Sequence, residues 1–589
     1  MEKDEQDLYE YDGPLVAAQM TWPRTVIPEI VLLCIQASKH VDALLRRFHG
    51  LFRIEMLRSR KLSSQFFMSL KNLQSLEMDA CQSASDEAFS HLSNLTSLRM
   101  SRCKQTTITD KAFSHLTNLH RLTMRRCMQT TLTDDAFRHL KNLQLLDMCE
   151  CNQTTIADNA FMYLKRLQHL NMSMCNQSTI TDEAFRSLTD LQSLDMSLSR
   201  QRTLTDGAFQ HLEKLETLYM MALRQTTITD EAFQVLTNLS YLSIRNCTQT
   251  TITDEAFCHL RNLEMWNCGQ LTITDRAFRH LTNLQHLIMQ NCNQSTISDG
   301  AFCYLSGLQS LNICGCYQTT ITDKGFRYLK NLRSLEMSGC CQATITHEAF
   351  RHLSNLWFLH MQQCNQSTLS SQAVRYLKKL EHLVSGPCIA NESLEYLTNL
   401  RVLDLNWHHS TAITNEGVRH LKQLECFIMI RSKSTAITGD AFRYLTNLRH
   451  LDLGNNFEGS LSDEAFHQLP NLRFLNVGDM EITDEAFRRL NNLQVLVMDY
   501  ATKVTDEAFR HLNNLQYLGM RGCYQTTITD TAFSNMRKLR CLDMYFCNQT
   551  TITDEAFGHL KDLALLDAEG CSQMTHEAFD KLTNLRRLL

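Results

Sequence analysis

Cysteine is the residue type whose spacing most readily suggests chemistry in this chain. The 589 residues contain 23 cysteines, and many of them follow a regularly spaced phenylalanine by fourteen residues. Thiols repeated at one position of a stacked array could form disulfides, bind a metal or carry redox chemistry. These cysteines are Cys103, Cys127, Cys151, Cys175, Cys247, Cys292, Cys316, Cys340, Cys364, Cys523 and Cys547.

Metal binding is not favoured by the spacing of the remaining cysteines. A zinc site needs two clustered pairs such as CxxC, whereas the close pairs here, Cys149 with Cys151 and Cys340 with Cys341, do not have that spacing. We therefore interpret the repeated cysteine as a small buried side chain whose S–H group meets the backbone where a strand turns. We predict no metal and no cofactor.

Histidine also recurs at one position, two residues after the phenylalanine, but tyrosine replaces it at Tyr163, Tyr304 and Tyr328. Tyrosine could not take over the role of a catalytic imidazole, so this position has a requirement of shape. No phosphate-binding glycine loop, HExxH, GxSxG or paired-acid motif interrupts the repeated pattern. We predict no catalytic residue and no enzymatic activity.

The phenylalanine opens a repeat of 24 residues that contains two kinds of periodicity. In one such unit Phe278, Leu281 and Leu284 have helical spacing, and Leu287 and Met289 then alternate as in a strand. One short helix and one short strand cannot bury their own apolar faces. The units must therefore stack into a solenoid with a continuous core.

Each unit also carries residues that are typical of helix ends. Before the phenylalanine comes a Thr-Asp pair, such as Thr109 and Asp110, whose oxygens suit the free amides of a helix N-terminus. Five residues after the phenylalanine comes asparagine, such as Asn94 and Asn118, which tolerates the left-handed conformation that ends many helices. We expect each helix to be about two turns long.

Composition and charge exclude several classes of protein. A hydrophobic fraction of 43%, with 19 Gly and 5 Pro, is typical of a folded chain and not of a disordered one. The net charge of -5, from 58 basic and 63 acidic residues, provides no polycationic field. We therefore predict binding to neither nucleic acid nor a membrane surface.

The N-terminal sequence does not resemble a secretory signal. It begins MEKDEQDLYEYDG, which is acidic where a signal peptide is basic. The longest apolar run, Val26 to Ala37, is too short to cross a bilayer and is interpreted as a buried helix. Together with an odd number of dispersed cysteines, this predicts a reducing, cytoplasmic location.

The pattern LxxLx[LM]xxC followed by TITDxAF resembles leucine-rich repeats, and its Cys with ITD is similar to the cysteine-containing subclass found in F-box/LRR proteins. The resemblance implies an α/β fold, a leucine-rich-repeat solenoid shaped as a horseshoe or superhelical arc. A parallel β-sheet would line the concave face and short helices the convex face, in about 23 repeats. In CNQTTI the Ile follows Cys by five residues, closer to the 24-residue extracellular type.

The resemblance also suggests a division of the chain. Residues 1–20 are expected to form an acidic flexible tail, residues 21–61 a helical N-terminal cap or degenerate F-box-like segment, and residues 62–589 the leucine-rich repeat domain. Within the middle segment, IPEIVLLCI followed by DALLRRFHGLF faintly resembles an F-box. An F-box there would recruit a Skp1-like adaptor.

Residues that flank the strand leucines point away from the core because neighbours on a strand alternate. Early units place arginines there, and later units place Asp404, Asp452, Asp499 and Asp543. Aromatic side chains are interleaved with them, and exposed aromatic and arginine residues form binding hot spots. The candidate partner-binding residues of the concave face are Arg99, Arg121, Arg125, Arg126, Tyr219, Tyr241, Trp266, Phe358, Trp407, Phe474, Tyr517 and Tyr545.

Uninterrupted repeats without a catalytic motif favour a non-enzymatic scaffold that binds a protein partner on its concave face. The first alternative, implied by the F-box resemblance, is a substrate receptor of an SCF-type ubiquitin ligase. The second is an extracellular leucine-rich-repeat recognition receptor, for which the 24-residue period is the evidence.

Overall fold

The computed structural model describes residues 31–33, 53–55, 67, 70–80 and 84–571, with gaps at 105, 224, 258–259, 365–367, 387, 407–412, 432–435 and 455–460, and then 575, 578, 581–582, 584–585 and 587–588. From residue 75 to residue 567, the described chain alternates three-residue strands with short helices in a repeated array. The strands are β1 Val31–Leu33, β2 Arg53–Glu55, β3 Ser75–Glu77, β4 Ser97–Arg99, β5 Arg121–Thr123, β6 Leu145–Asp147, β7 His169–Asn171, β8 Ser193–Asp195, β9 Thr217–Tyr219, β10 Tyr241–Ser243, β11 Asn262–Glu264, β12 His286–Ile288, β13 Ser310–Asn312, β14 Ser334–Glu336, β15 Phe358–His360, β16 His382–Val384, β17 Val402–Asp404, β18 Cys426–Ile428, β19 His450–Asp452, β20 Phe474–Asn476, β21 Val495–Val497, β22 Tyr517–Gly519, β23 Cys541–Asp543, β24 Leu565–Asp567 and β25 Arg587–Leu588.

All strand pairs are parallel, and the register aligns equivalent residues of successive units, as in Leu122 with Leu146. The 22 strands from β3 to β24 follow one another in chain order, each paired with the next. This arrangement confirms a leucine-rich-repeat solenoid.

The sheet begins upstream of the repeat domain that was expected over residues 62–589. Strand β2 pairs with β3, and β1 pairs with β2 through Val31 and Ile54 and with β25 through Leu32 and Arg587. The helix expected over residues 26–37 is therefore wrong at Val31–Leu33, which form a strand. Arg53–Glu55, also within the segment 21–61 that was expected to be helical, form strand β2, and the rest of that segment lies outside the described residues.

The core repeats with the sequence. The central strand leucine is fully buried in unit after unit, for example Leu287, while its neighbours His286 and Ile288 remain partly accessible. Phe278 and Leu281 from the helical part of the same unit complete the buried set. Burial of one such side chain contributes about 1.5–3 kcal/mol, and truncation to Ala costs about 2–5 kcal/mol.

The helices of the described residues are single turns of three to six residues, shorter than the two turns expected. Eight are α-helical: Asp86–Phe89, Asp110–Phe113, Asp158–Phe161, Glu231–Gln234, Asp299–Phe302, Asp323–Phe326, Asn391–Leu394 and Asn415–Val418. The other described ones are 3₁₀ helices: Asp134–Phe137, Asp182–Phe185, Asp206–Phe209, Asp254–Ala256, Ala277–His280, His347–His352, Ser371–Tyr376, Gly439–Tyr444, Asp463–Gln468, Asp484–Phe487, Asp506–His511, Asp530–Asn535 and Asp554–His559. Because parallel strands lie about 4.8 Å apart, stacked units leave little space for longer helices.

The Thr-Asp pair caps its own helix and also joins neighbouring units. The Thr109 hydroxyl accepts a hydrogen bond from the Lys111 amide, as the sequence predicts for a helix N-cap. Asp110 then accepts from the Thr133 amide at 2.8 Å and from the Thr133 hydroxyl at 2.7 Å. The same contacts recur with Asp158 in a later unit. These repeated hydrogen bonds hold the helical side of each unit against the helical side of the next.

The repeated asparagine has a different role from the one expected. Asn94 and Asn118 do not adopt a left-handed backbone; their amides donate to the carbonyls of Lys71 and Ser93 in the preceding units, at 3.0 and 3.1 Å. Left-handed residues lie instead in the turn after the strand, as at Arg126, with φ of 57°. The asparagine is therefore a link between units.

Candidate interaction surface

The face of the sheet opposite the helices presents three side chains from each unit. We call them the first position and the third position, which are the two outer residues of the strand, and the turn position, which is three residues after the central leucine. In β5, for example, these are Arg121, Thr123 and Arg125. Because the register aligns equivalent residues, each position forms a row along the concave face.

The repeated cysteines lie behind this surface and have no part in it. Cys127 and Cys151 are fully buried, and their thiols donate to the carbonyls of Met100 and Met124 at 2.9 and 2.8 Å. Burial raises the pKa of Cys127 to about 12, which keeps the thiol protonated and unreactive. This hydrogen bond confirms the structural interpretation of the cysteine pattern.

Tyr219 on β9, Tyr241 on β10 and Trp266 just after β11, three of the predicted binding residues, lie close together. The tyrosine rings are 5.2 Å apart, and the Tyr241 hydroxyl donates to Glu264 at 2.6 Å. The Arg245 guanidinium lies 4.0 Å from the centre of the Trp266 ring and 3.5 Å from the Glu264 carboxylate. This cluster, the central cluster, holds its own cation against an aromatic ring and an acid.

Phe358 and Phe474 each lie in a smaller aromatic group. Phe358 packs beside Trp357 and His382, and the last two rings are 5.0 Å apart in an edge-on arrangement. Phe474 stacks on His450 with ring centres 3.8 Å apart. Burial lowers the pKa of His450 to about 4, so the imidazole is neutral at pH 7.

A groove of about 930 Å³ opens beside Trp357 at the rim of the sheet. Its walls carry Arg333, Lys379 and Arg401, together with several of the asparagines that link one unit to the next. Arg401 already contacts Glu425 at 2.8 Å. The groove extends the concave face with a polar, largely basic border.

The early arginines are mostly neutralised by neighbouring acids. Arg99 contacts Asp79 at 3.1 Å, Arg125 contacts Asp147 at 2.6 Å, and Arg126 contacts Glu150. Arg121 is exposed, and it has no ion pair within the described part of the chain. Of the four arginines predicted to bind a partner, Arg121 is therefore the one with a free charge.

One rule governs several of these pairs: an arginine at the turn position contacts the acid at the third position of the next unit. Arg125 does so with Asp147, Arg245 with Glu264, and Arg521 with Asp543 at 2.6 Å. Sequence reasoning missed this rule, although the offset of 19 to 22 residues is visible once the register is known.

Two later acids lack such a partner. Asp404 and Asp452 follow Gly386 and Ile430 at the turn position, and neither has a cation within 4 Å among the residues the structure describes. Burial raises the pKa of Asp404 to about 6, and the pKa of Asp452 is raised for the same reason. Within the described part of the chain, the hydrogen-bond donors to these carboxylates are neutral.

Of the remaining predicted residues, Tyr517 and Tyr545 lie on the concave face of β22 and just after β23, and Trp407 falls outside the described residues. The Tyr545 ring packs edge-on against Phe546 at 4.5 Å. Burial, with nearby acids, raises the pKa of Tyr517 to about 12. Trp357, His382, His450 and Arg245 belong to the same surface but were not among the predicted residues.

Matches to family models cover most of the repeats. Six copies of the BspA type Leucine rich repeat region match residues 54–168, 154–271 and 480–588, which together make up more than half of the chain. The chain belongs to the leucine-rich repeat family. A second leucine rich repeat model matches residues 260–317, 306–366 and 431–479 of this leucine-rich repeat protein. No curated protein matches the sequence.

Solved structures with the same fold include two complexes. One is the mouse RP105/MD-1 complex, with a TM-score of 0.61 and 20% identity over 84% of this chain and 86% of that chain. The other is the TLR13-ssRNA13 complex, with a TM-score of 0.53 and 19% identity over 88% of this chain and 87% of that one. At these identities the likeness shows the shared leucine-rich-repeat fold.

The described residues contain neither a metal-binding group nor a membrane-spanning helix. In the described ranges, no three His, Cys, Asp or Glu side chains are grouped so that they could hold a metal ion. The helices of those ranges are also all too short to cross a bilayer. The chemistry that the concave face offers is recognition through aromatic rings, guanidinium groups and carboxylates.

Proposed function

We propose that this protein is a non-enzymatic recognition scaffold that binds a protein partner on its concave face. The carrying observation is that ordered aromatic and charged groups lie side by side on one rigid sheet face. In the central cluster Tyr219, Tyr241 and Trp266 are fixed by ring contacts and by Glu264. Rigid aromatic anchors lose little conformational entropy on binding, which favours use as hot spots.

A second candidate is a leucine-rich-repeat recognition receptor that acts outside the cell. The observation that favours it is that the two similar structures, which extend over more than four fifths of this chain, are the TLR13-ssRNA13 and RP105/MD-1 complexes. The 24-residue period agrees with it. Free thiols at all cysteines of the purified, natively expressed protein would argue against this candidate, because exported proteins oxidise exposed cysteines such as Cys303 and Cys341.

The ubiquitin-ligase receptor has less support. The described parts of residues 21–61 are the strands β1 and β2, whereas the suggested F-box would be a helical module. Binding of a Skp1-like adaptor through this segment, and a cytoplasmic location, remain predictions. A pull-down with the intact chain and a purified Skp1-like protein would test the adaptor directly.

Selection of binders tests the scaffold proposal. A displayed library of small protein domains would be selected on the intact protein and then measured against two variants. In the concave variant Arg121→Glu is combined with Tyr219→Ser; in the matched control, Arg186→Glu is combined with Tyr304→Ser on the helical side. We expect at least tenfold weaker binding to the concave variant for most binders. Binders whose affinity is weakened only by the control substitutions would contradict the proposal.

A further inference from the structure

An exposed aromatic patch lies at the C-terminal end of the concave face. We call Tyr500, Tyr545 and Phe546 the C-terminal aromatic patch; their exposed fractions are 56%, 37% and 45%. Exposed aromatic side chains grouped in this way mark interaction sites more often than isolated ones do. The patch is ordered, because the Tyr545 and Phe546 rings pack edge-on at 4.5 Å.

Two glycines make room for these rings. Tyr500 and Phe546 are the residues after the turn position in their units, and the equivalent residues of the following units are Gly522 and Gly570. A Cβ on Gly522 would come within 2.3 Å of the Tyr500 ring, and a Cβ on Gly570 within 3.1 Å of the Phe546 ring. Each ring therefore lies over the next unit's backbone, and this keeps the patch on the concave side.

Acids without a cation border the patch. Asp567 is half-buried and accepts a hydrogen bond from the Glu569 amide at 3.2 Å, and Glu569 itself is exposed. Neither carboxylate has an ion pair among the described residues. The arginine nearby, Arg521, is already paired with Asp543 at 2.6 Å. The border of the patch is thus net negative.

The central cluster shows what completes such an arrangement. There, Arg245 at the turn position contacts Glu264 at the third position of the next unit and lies over Trp266. At the C-terminal end, Arg521 makes the same two contacts, with Asp543 at 2.6 Å and over the Tyr545 ring at 6.0 Å from its centre. The next ring and acids along the face, Phe546 with Asp567 and Glu569, have no such guanidinium among the described residues.

We infer that the C-terminal aromatic patch binds an arginine- or lysine-bearing segment of the protein partner, whose cation lies between the aromatic rings and Asp567 with Glu569. Cation–π contact and a charge-assisted hydrogen bond are the two interactions that Arg245 makes inside the central cluster. This inference rests on the proposed function, since it names the chemistry of the partner on the same concave face.

Defined peptides test the inference with the full-length protein. A fluorescein-labelled (Gly-Arg)₄ peptide is compared with its citrulline and glutamate counterparts by fluorescence anisotropy, up to about 1 mM peptide. We expect the arginine peptide to bind at least tenfold more tightly than either counterpart. Asp567→Asn with Glu569→Gln should weaken it about tenfold, and so should Tyr545→Ser with Phe546→Ser.

Matched controls separate the patch from general attraction to an acidic protein. Asp195→Asn, which removes another unpaired concave acid, and Tyr317→Ser, which removes an exposed ring elsewhere, should change the affinity less than twofold. If an aromatic variant does not fold, as judged by circular dichroism, Asp567→Asn alone keeps the test valid because it preserves shape. Equal loss in all variants, or no preference for the arginine peptide, would overturn the inference.

The two proposals can fail separately. If library-selected binders depend on the concave face but carry acidic or neutral segments at the patch, the scaffold stands and the cationic segment is wrong. If the selected binders do not depend on the concave face, the scaffold proposal fails. If the arginine peptide also binds the Asp567→Asn variant as tightly as the unmodified protein, the inference fails as well.

Discussion

Strands β5–β6 and strands β18–β19 carry the same two positions with different residues. In the first region Arg125 at the turn position contacts Asp147, whose side chain is 9% exposed. In the second region Ile430 holds the turn position, and Asp452 accepts from the Gly454 amide and the Asn476 side chain at 3.1 and 2.9 Å. The backbone and register are equivalent, so one side chain per unit decides whether a concave carboxylate is paired.

The comparison shows that two sets of positions in the repeat are under different constraints. Core positions face identical neighbours in every unit, and their residues hardly vary: Leu122 and Leu451 are both fully buried. Concave positions face solvent and the neighbouring unit, so their residues can differ from unit to unit while the core that maintains the fold is unchanged. We therefore expect the concave positions, and not the core positions, to determine what the protein binds.

The largest effect should come from the unpaired acids. Burial raises the pKa of Asp404 to about 6 in the folded protein, against about 3.9 when unfolded. Its stabilising protonated form is fully present below pH 4 and is lost as the pH rises through 6. Asp404→Asn should therefore raise the free energy of unfolding by up to about 3 kcal/mol at pH 8 and leave it unchanged at pH 4.

Urea unfolding of both proteins at pH 4, 6 and 8 would measure this difference. Asp147→Asn serves as the matched control in the paired region, and it should be destabilising at pH 8 because Arg125 loses its carboxylate. An Asp404→Asn effect that does not depend on pH would contradict the role of burial.

In the paired region the expected effect is somewhat smaller and has the opposite sign. Arg125→Ala leaves the buried Asp147 carboxylate without its charged donor and should cost about 2 kcal/mol. Arg121→Ala, four residues earlier in the same unit and without an ion pair in the described structure, should change stability by less than about 0.5 kcal/mol. Hydrogen exchange of the β5 and β6 amides would report the loss locally. Equal effects of the two substitutions would show that the pair contributes nothing specific.

The sequence predicts those features that a single unit determines. The change of periodicity after Phe278 locates helix and strand, and Thr109 caps its helix as expected, because both depend on neighbours within a few residues. These two features need no knowledge of how the units stack. The cysteine pattern was also interpreted correctly as a buried S–H that meets the backbone, although its acceptor, the Met100 carbonyl, lies in the preceding unit.

Features that depend on stacking were predicted poorly. Asn118 reaches the backbone of the preceding unit, 25 residues away, and a reading of one unit assigns it to the end of its own helix. Helix length is limited by the distance between units and not by propensity, so single turns replaced the expected two. Pairs such as Arg521 with Asp543 become predictable once the register is known.

The smallest expected effect comes from converting one region into the other. Ile430→Arg puts an arginine at the turn position before Asp452, which is the arrangement of Arg125 before Asp147. The new pair should stabilise the protein by about 0.5–1 kcal/mol at pH 8, because half-buried cross-strand ion pairs contribute about that much. It should also move the pKa of Asp452 down toward its ordinary range, which reduces the stabilisation that Asp452→Asn would otherwise give.

A double-mutant cycle isolates this pair. Ile430→Arg, Asp452→Asn and their combination would be compared by urea unfolding at pH 8. Ile430→Gln is the uncharged control of similar length. A coupling free energy of at least about 0.5 kcal/mol for Arg and none for Gln would show that the turn position alone sets the charge state of the next unit. Equal coupling for both would mean that side-chain length, and not charge, distinguishes the two regions, and the rule drawn from Arg125, Arg245 and Arg521 would not transfer between units.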